Sequence, residues 1–257
     1  MVRQAREKSE NGIYHVMVRG INHQDIFYDD EDNIRFLNSI QRVKQINGCV
    51  LHGFCLMDNH VHMLLQEHQE DIAVTMKRLC TGYARWYNWK YERSGHLFQN
   101  RYKSEPIEDD IYLLTVIRYI HNNPVKASLV RIPEEWKWSS CKAYYDARDN
   151  SQEMTDTTKI LGLFSNDTSE AVFLFRKYMG EDNTDHCLEN EPFKRRSDSE
   201  VAKEIEKIIG NIPAHLILKM PKAERNEILR SLKQMEGISC RQIGRVLGIS
   251  PSLILKL

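Results

Sequence analysis

Residues 49–66 constrain the fold more than any other segment. Cys49-Val50-Leu51-His52-Gly53-Phe54-Cys55-Leu56-Met57 reads as a strand, Asp58-Asn59 as a tight turn, and residues 60–66 as a second strand. The segment therefore predicts a β-hairpin. Its second strand begins His60-Val61-His62-Met63. Alternate side chains of a strand share a face, so the two histidines project together while Val61 and Met63 point the other way. Two imidazoles side by side on a rigid strand make half of a divalent-metal site. A lone His-x-His also marks the solvated face of many sheets, so the downstream residues must decide.

The flanking segments supply a frame. Residues 12–19 alternate and predict a first strand. In residues 31–46, Ile34, Leu37, Ile40, Val43 and Ile46 recur at helical spacing after an acidic start that suits the helix dipole. Residues 70–92 predict a long amphipathic helix with Ile72, Met76, Leu79, Tyr83, Trp86 and Tyr87 on its apolar side. Residues 97–107 predict a fourth strand or strand pair. Residues 109–123 predict another helix closed by Pro124, because the residue before proline is pushed out of the α region. The order β-α-β-β-α-β-α predicts an α+β fold: a ferredoxin-like antiparallel sheet with helices on one face. We place this catalytic domain at 1–147, a helical connector at 148–199 with a joint at Glu191-Pro192 and Arg195-Arg196-Ser197, and a small all-α module at 200–257.

Charge separates these parts. Net charge is zero over 257 residues, and residues 1–150 balance 20 cations against 20 anions. Residues 151–190 carry 3 against 8, whereas 191–257 carry 13 against 8. The tail is a basic module behind an acidic connector. Within it, a helix at 223–235 precedes Ile238-Ser239-Cys240-Arg241-Gln242-Ile243-Gly244-Arg245-Val246-Leu247-Gly248-Ile249-Ser250-Pro251-Ser252-Leu253. A short helix, a glycine turn and Ser-Pro opening another helix match a helix-turn-helix. Ser250 suits the cap and Pro251 the first turn. The second helix is short, since the chain stops soon after Leu253. This module is expected to contact DNA, including double-stranded DNA, through Arg241, Gln242, Arg245, Ser250 and Ser252. No apolar run approaches the ~20 residues of a membrane span, the N-terminus has no signal-like core, and six scattered cysteines read as reduced thiols. A cytosolic protein is expected.

The helix at 109–123 ends Arg118-Tyr119-Ile120-His121-Asn122-Asn123-Pro124. Tyr119 and Asn123 are four apart and share a helical face. If that face lies against His60 and His62, two imidazole nitrogens and the Asn123 amide oxygen converge with open positions. Such a mixed set suits Mg²⁺ or Mn²⁺ acting on a phosphodiester. Tyr119 would stand beside it as a nucleophile. Core packing for Tyr119 and a plain helix stop at Asn123 are the competing explanations.

These residues resemble the REP-associated tyrosine transposases, single-tyrosine members of the His-hydrophobic-His endonuclease (HUH, IS200-like) class. The resemblance rests on Tyr14-His15-Val16 with Arg19-Gly20, Phe54-x3-Asp58-Asn59-His60-Val61-His62 and Gly95-x-Leu97-Phe98-Gln99-x-Arg101-Tyr102. It continues in Arg118-Tyr119-Ile120-x-x-Asn123-Pro124-Val125-x-Ala127 and Trp138-Ser139-Ser140. It covers roughly residues 10–147. It implies a metal-dependent nuclease that cuts single-stranded or hairpin DNA, with Tyr119 as nucleophile and His60, His62 and Asn123 as metal ligands. A 5′-phosphotyrosine link and a free 3′-OH would result, in a monomer or homodimer. The basic tail lies outside the core pattern.

Arg101, Tyr102 and Lys103 are expected on a strand, where they either contact phosphate and stack on a base or form a solvated strand with one buried aromatic. Of Trp86, Tyr87, Trp89 and Tyr91, at most one ring is expected to be exposed. His15, His52, His68, His96 and His121 are read as structural. Two other functions compete: a catalytically idle, hairpin-binding transcriptional regulator, and a small-molecule hydrolase built on His60 and His62.

Overall fold

Alternation along the first three strands gives the sheet two apolar faces, and each finds its own cover. The computed structural model describes residues 6–146, 154–188, 197–210, 214–233, 235, 238, 240–255 and 257. In chain order the first elements are β1 (Ile13–Arg19), α1 (Asp30–Asn47), β2 (Val50–Met57), β3 (His60–Gln66), α2 (Ile72–Lys90), β4 (Lys103–Pro106) and α3 (Asp110–Lys126). The strands form one antiparallel sheet in the order β2-β3-β1-β4. This is the ferredoxin-like strand order expected from the element order, but the helices cover both faces of the sheet and not one as expected, because both faces are apolar. Tyr14, Val16, Val18, Val61, Met63 and Leu65 face one core with Phe36, Ile40, Leu79 and Tyr83 of α1 and α2. Ile13, Cys55, Met57 and Leu64 face the other, where α3 adds cover through Val116, Ile117 and Ile120.

Local chemistry sets the ends of α1. Asp29 and Asp32 form a reciprocal capping box at its start, and Gly48 closes it in the left-handed region at φ 70°. The helix is rotated from the sequence expectation. Phe36, Ile40 and Val43 face the core while Ile34 and Ile46 are half exposed, because buried Asp32, Asn33 and Asn47 share the inner face. Asp32 is satisfied there by the Lys90 ammonium and the Tyr91 hydroxyl. The fourth strand is shorter than expected: four residues are paired, and Phe98 makes a single bridge to Gly20. Helix α3 runs through Pro124 instead of stopping before it. Proline removes one donor near the helix end, and the following turn closes through Ala127 N–H to Asn123 and Leu129 N–H to Pro124.

One close approach positions α3. A Cβ on Gly53 of β2 would lie 2.2 Å from Cδ1 of Ile117, so any larger residue there would force the end of the Ile117 side chain to move. The segment expected as a connector packs on the same side. Helices α4 (Thr158–Gly162) and α5 (Thr168–Met179) bury Ile160, Phe175 and Met179 against the α3 face of the sheet. Tyr144 stacks on Phe175 at 4.6 Å, and Arg118 pairs with Asp185 at 2.7 Å. The expected joint at 191–196 lies outside the described residues.

The tail forms α6 (Asp198–Ile209), α7 (Lys222–Lys233), α8 (Cys240–Leu247) and α9 (Pro251–Leu255). Val201, Ile205, Leu229, Leu232, Ile243, Leu247 and Ile254 are buried and join the core over α1 and α2. A Cβ on Gly244 would meet the Ile249 carbonyl oxygen at 2.8 Å, so α8 packs tightly on the turn that follows it. No helix among the described residues is long and apolar enough to cross a membrane.

Candidate active site

The register of the sheet joins residues the sequence holds far apart. Met17 lies opposite His62 and Arg19 opposite His60 across β1 and β3, while His15 lies opposite Glu105 across β1 and β4. All these side chains except Met17 carry polar chemistry, and strand parity puts them on the α3 face. His15 and His62 are almost fully buried. His15 Nδ1 is 2.7 Å from Glu105 Oε1, and His15 Nε2 is 2.9 Å from His62 Nδ1. A carboxylate can only accept. With both rings neutral the chain therefore has one direction: His15 Nδ1–H donates to Glu105, and His62 Nδ1–H donates to His15 Nε2. The lone pair on His62 Nε2 is left free. Burial first, and then the neighbouring His60, His15 and Arg19, hold the His62 pKa well below the usual histidine range, so this ring is neutral at pH 7.

His60 is fixed by a second chain. Asn59 donates from Nδ2 to the His23 carbonyl oxygen at 3.0 Å, which turns its Oδ1 toward His60 Nδ1 at 2.7 Å. His60 Nδ1 is then the protonated nitrogen, which puts the ring's lone pair on Nε2. The two rings sit edge-to-face with centroids 5.1 Å apart. Carbonyl and carboxylate partners behind metal-binding imidazoles fix ring orientation and tautomer in this way.

Helix α3 brings Tyr119 to this pair. Its ring meets His62 edge-on at 5.5 Å and His15 at 5.9 Å. Lys126 Nζ lies 4.7 Å from the ring centroid. Arg19 is close as well: burial pushes its pKa down, and Tyr119 opposes that shift. Asn123 donates from Nδ2 to the Tyr119 carbonyl oxygen at 2.9 Å, which uses the amide nitrogen and leaves Oδ1 as acceptor. Among the described residues no group of three or more His, Cys, Asp or Glu side chains is placed to hold a metal ion. The Asn123 amide oxygen is of another type, so the expected set of His60, His62 and Asn123 is not one of these groups. Two imidazole nitrogens and one amide oxygen fit Mg²⁺ or Mn²⁺.

The model of the family described as "Transposase IS200 like" matches residues 8–123, a span that contains all of these groups except Lys126. The chain carries an IS200-like transposase domain. A Haemophilus influenzae protein classed with the REP-associated tyrosine transposases is 31% identical over 100 residues. That match covers 34% of this chain, and the chain spans about half the length of that relative, 56%. The solved structure of a REP-associated tyrosine transposase bound to a REP hairpin superposes with a TM-score of 0.50 at 15% identity. It covers 74% of this chain and all of that one, and at this identity the likeness concerns the fold.

Beside the histidines, the IS200-like domain has a cleft of about 150 Å³ lined by Met17, Arg19, Gln99, Asn100, Arg101 and Lys103. Arg101 and Lys103 are exposed there, as a phosphate contact requires. Tyr102 is different. It precedes β4, is 9% exposed, and its ring is covered by the Arg6 guanidinium at 3.8 Å. It cannot serve as the expected stacking surface. The exposed ring of the α2 aromatic cluster is Trp89, at 76%.

The tail residues expected to face DNA divide. Arg241 turns inward, because Asp25, Asp58 and the carbonyl oxygens of Phe27 and Tyr28 surround its guanidinium at 2.7–3.7 Å. Its charge is spent within the chain. Gln242 and Arg245 remain toward the surface and share Asp198 at 2.9 and 3.0 Å. Ser250 is exposed, and the Ser252 side chain lies outside the described residues. His121, two positions beyond Tyr119, points to Ser140 Oγ at 2.9 Å and away from the site.

The sequence reading missed His15, Asn59 and Glu105. The strand parity of His15 with Arg19 was visible. The pairing of β1 with β3 and β4, which gives that parity its meaning, was not.

Proposed function

We propose that this chain is a metal-dependent single-stranded DNA endonuclease and strand transferase that uses Tyr119 as its nucleophile. The observation that carries the reading is the placement of Tyr119 edge-on to His62, inside an IS200-like domain whose two histidines stand edge-to-face beside it. Mg²⁺ or Mn²⁺ held by His60, His62 and Asn123 would polarise the scissile phosphate. The chain's own residues do the remainder. Arg19 and Lys126 put positive charge beside Tyr119, where phosphate oxygens gain charge during attack. Arg101 and Lys103 line the cleft that would hold the strand. Tyr119 Oη forms the bond to phosphorus, the bond from phosphorus to the 3′ oxygen breaks, and the proton lost from Oη is balanced by the one gained at the 3′-OH. The phosphotyrosine link keeps the energy of the broken bond, so a 3′-OH can reverse the step or join another strand. Hairpin DNA is the proposed substrate, by extension from the hairpin-bound relative of similar fold.

The idle-regulator reading keeps the same fold only as a hairpin-binding platform and is favoured by the helix-turn-helix pattern of the tail. The inward turn of Arg241 removes one of its main contacts. The test is a denaturing gel of the full chain with labelled single-stranded hairpins, with and without Mn²⁺, beside Tyr119→Phe. A metal-dependent adduct at protein mass, absent from Tyr119→Phe, is expected. An adduct that persists in Tyr119→Phe would overturn the assignment.

A further inference from the structure

A second cationic recess lies away from Tyr119, on the seam between the IS200-like domain and the tail helices. It has a volume of about 270 Å³ and is walled by the turn after β1 (Asn22, Gln24), the loop after α2 (Arg93, His96) and helix α7 (Arg230, Lys233). No carboxylate side chain lines it among the described residues. Arg93 is the telling member. Its Nη2 donates to the His96 carbonyl oxygen at 3.3 Å, but Nε and Nη1 are buried with no hydrogen-bond partner. A buried guanidinium rarely leaves two nitrogens unpaired, because water is lost and nothing replaces it. The guanidinium also lies 5.5 Å from the Tyr87 ring centroid, which restricts where it can turn. Burial, and after Cys240 the nearby charges of Arg93 and Arg230, act on Lys233, whose pKa is net lowered. Three cations are thus gathered around one concavity.

The turn that forms the opposite wall is strained. Asn22 and His23 both occupy the left-handed region, at φ 50° and 58°. Non-glycine residues hold such angles mostly at turns and ligand clamps. The same turn links the two sites. Arg19 lines the cleft beside the histidines, and Asn22 and Gln24, a few residues on, line the recess.

We propose that this recess is a phosphate-binding site, and that it holds a backbone phosphate of the DNA strand whose scissile bond lies at Tyr119. Paired guanidinium nitrogens at fixed angles match the oxygens of a phosphate in a bidentate contact. An anion there would offset the repulsion among Arg93, Arg230 and Lys233, and a small turn of the Arg93 guanidinium would bring its unpaired nitrogens to it. It would also make the tail part of the substrate site without a base-reading helix. The strand assignment rests on the nuclease reading; the phosphate site itself does not.

Two measurements on the full chain separate those levels. In the first, binding of a labelled single-stranded hairpin is followed over a range of salt concentrations for the unmodified protein, Arg93→Gln/Arg230→Gln and Arg93→Lys/Arg230→Lys. Loss of one phosphate contact is expected to reduce the slope of log K against log salt by about 0.7 in the Gln pair. The Lys pair should keep the slope, since its charge is retained. In the second, inorganic phosphate is titrated against the Arg93 Nε–H signal of the unmodified protein, with chloride at matched ionic strength as control. A saturating shift with phosphate alone is expected, and this arm needs no folded variant. If the folded Gln pair binds hairpin with the original slope, the proposal is overturned while the nuclease reading stands. If the unmodified protein binds no DNA, the nuclease reading fails, and the phosphate titration alone decides: a shift supports a site for phosphate from another source, and no shift removes the site.

Discussion

Glu105 reaches the candidate metal site only through His15, so its replacement tests the direction of the hydrogen-bond chain. Glu105 Oε1 accepts from His15 Nδ1 at 2.7 Å, and His15 Nε2 meets His62 Nδ1 at 2.9 Å. Glu105→Leu removes the acceptor. His15 can then carry its proton on Nε2, which turns His62 into the acceptor and puts the proton of His62 on Nε2, where a metal would bind. Loss of such an outer partner costs about 10–100-fold in metal affinity, or roughly 1.4–2.8 kcal/mol. Glu105→Gln keeps an acceptor oxygen and should lose only a small part of that. Calorimetric titration of Mn²⁺ into the full-length protein gives the affinity. Long-range ¹H–¹⁵N spectra of the metal-free protein report which His62 nitrogen carries the proton. Unchanged affinity in a folded Glu105→Leu protein, with His62 still protonated at Nδ1, would refute the reasoning. Failure of the unmodified protein to bind Mn²⁺ or Mg²⁺ at all would remove the metal site itself.

Three further outcomes are expected. Gly53→Ala forces a Cβ against Ile117 and should destabilise the protein by about 1–3 kcal/mol; Ile117→Ala in the same chain should recover part of this in urea melts, and no coupling would mean α3 is not seated there. His121 is fully buried and burial pushes its pKa down to about 3. The unfolded chain then takes up its proton first, so stability is full above pH ~6.5 and falls by up to about 5 kcal/mol as pH drops toward 3. His121→Gln should flatten that part of the denaturation profile, and an unaltered slope would show that His121 is solvated. Arg241→Ala removes charge-assisted bonds to the Phe27 and Tyr28 carbonyl oxygens, each worth about 1.5–3 kcal/mol; the tail should become more sensitive to limited proteolysis, and equal sensitivity would show that Arg241 does not secure it.

Patterns within one element were readable from the chain, and relations between elements were not. The hairpin at 49–66 declared itself because its strands are near-continuous apolar runs and Asp58-Asn59 can only turn. The order of elements then restricted the sheet to few topologies. Tyr119 and Asn123 could be paired because a helix fixes which residues share a face. Glu105 was hidden because β4 is four residues long and not markedly apolar, so nothing in its periodicity announced a partner for His15. In α1 the apolar spacing was real but slightly misleading: Asp32 lies inside because Lys90 and Tyr91, almost sixty positions later, satisfy it.

The same distinction explains the tail. A helix-turn-helix pattern records local facts: a tight contact at Gly244, a turn at Gly248 and a proline that opens the next helix. None of these says where the polar side chains of α8 will find opposite charge. Arg241 finds it at Asp25 and Asp58, more than 180 residues earlier. Asp58 belongs to the same turn as Asn59, which orients His60. The tail therefore grips the hairpin beside the residue that would bind metal. At Arg241 a position of that pattern makes an intramolecular contact, because a half-buried guanidinium goes to the strongest set of acceptors within reach. Gln242 and Arg245 do not have that constraint. Their shared contact with Asp198 is solvent-exposed, and such surface pairs contribute little, so a phosphate could displace Asp198 at small cost.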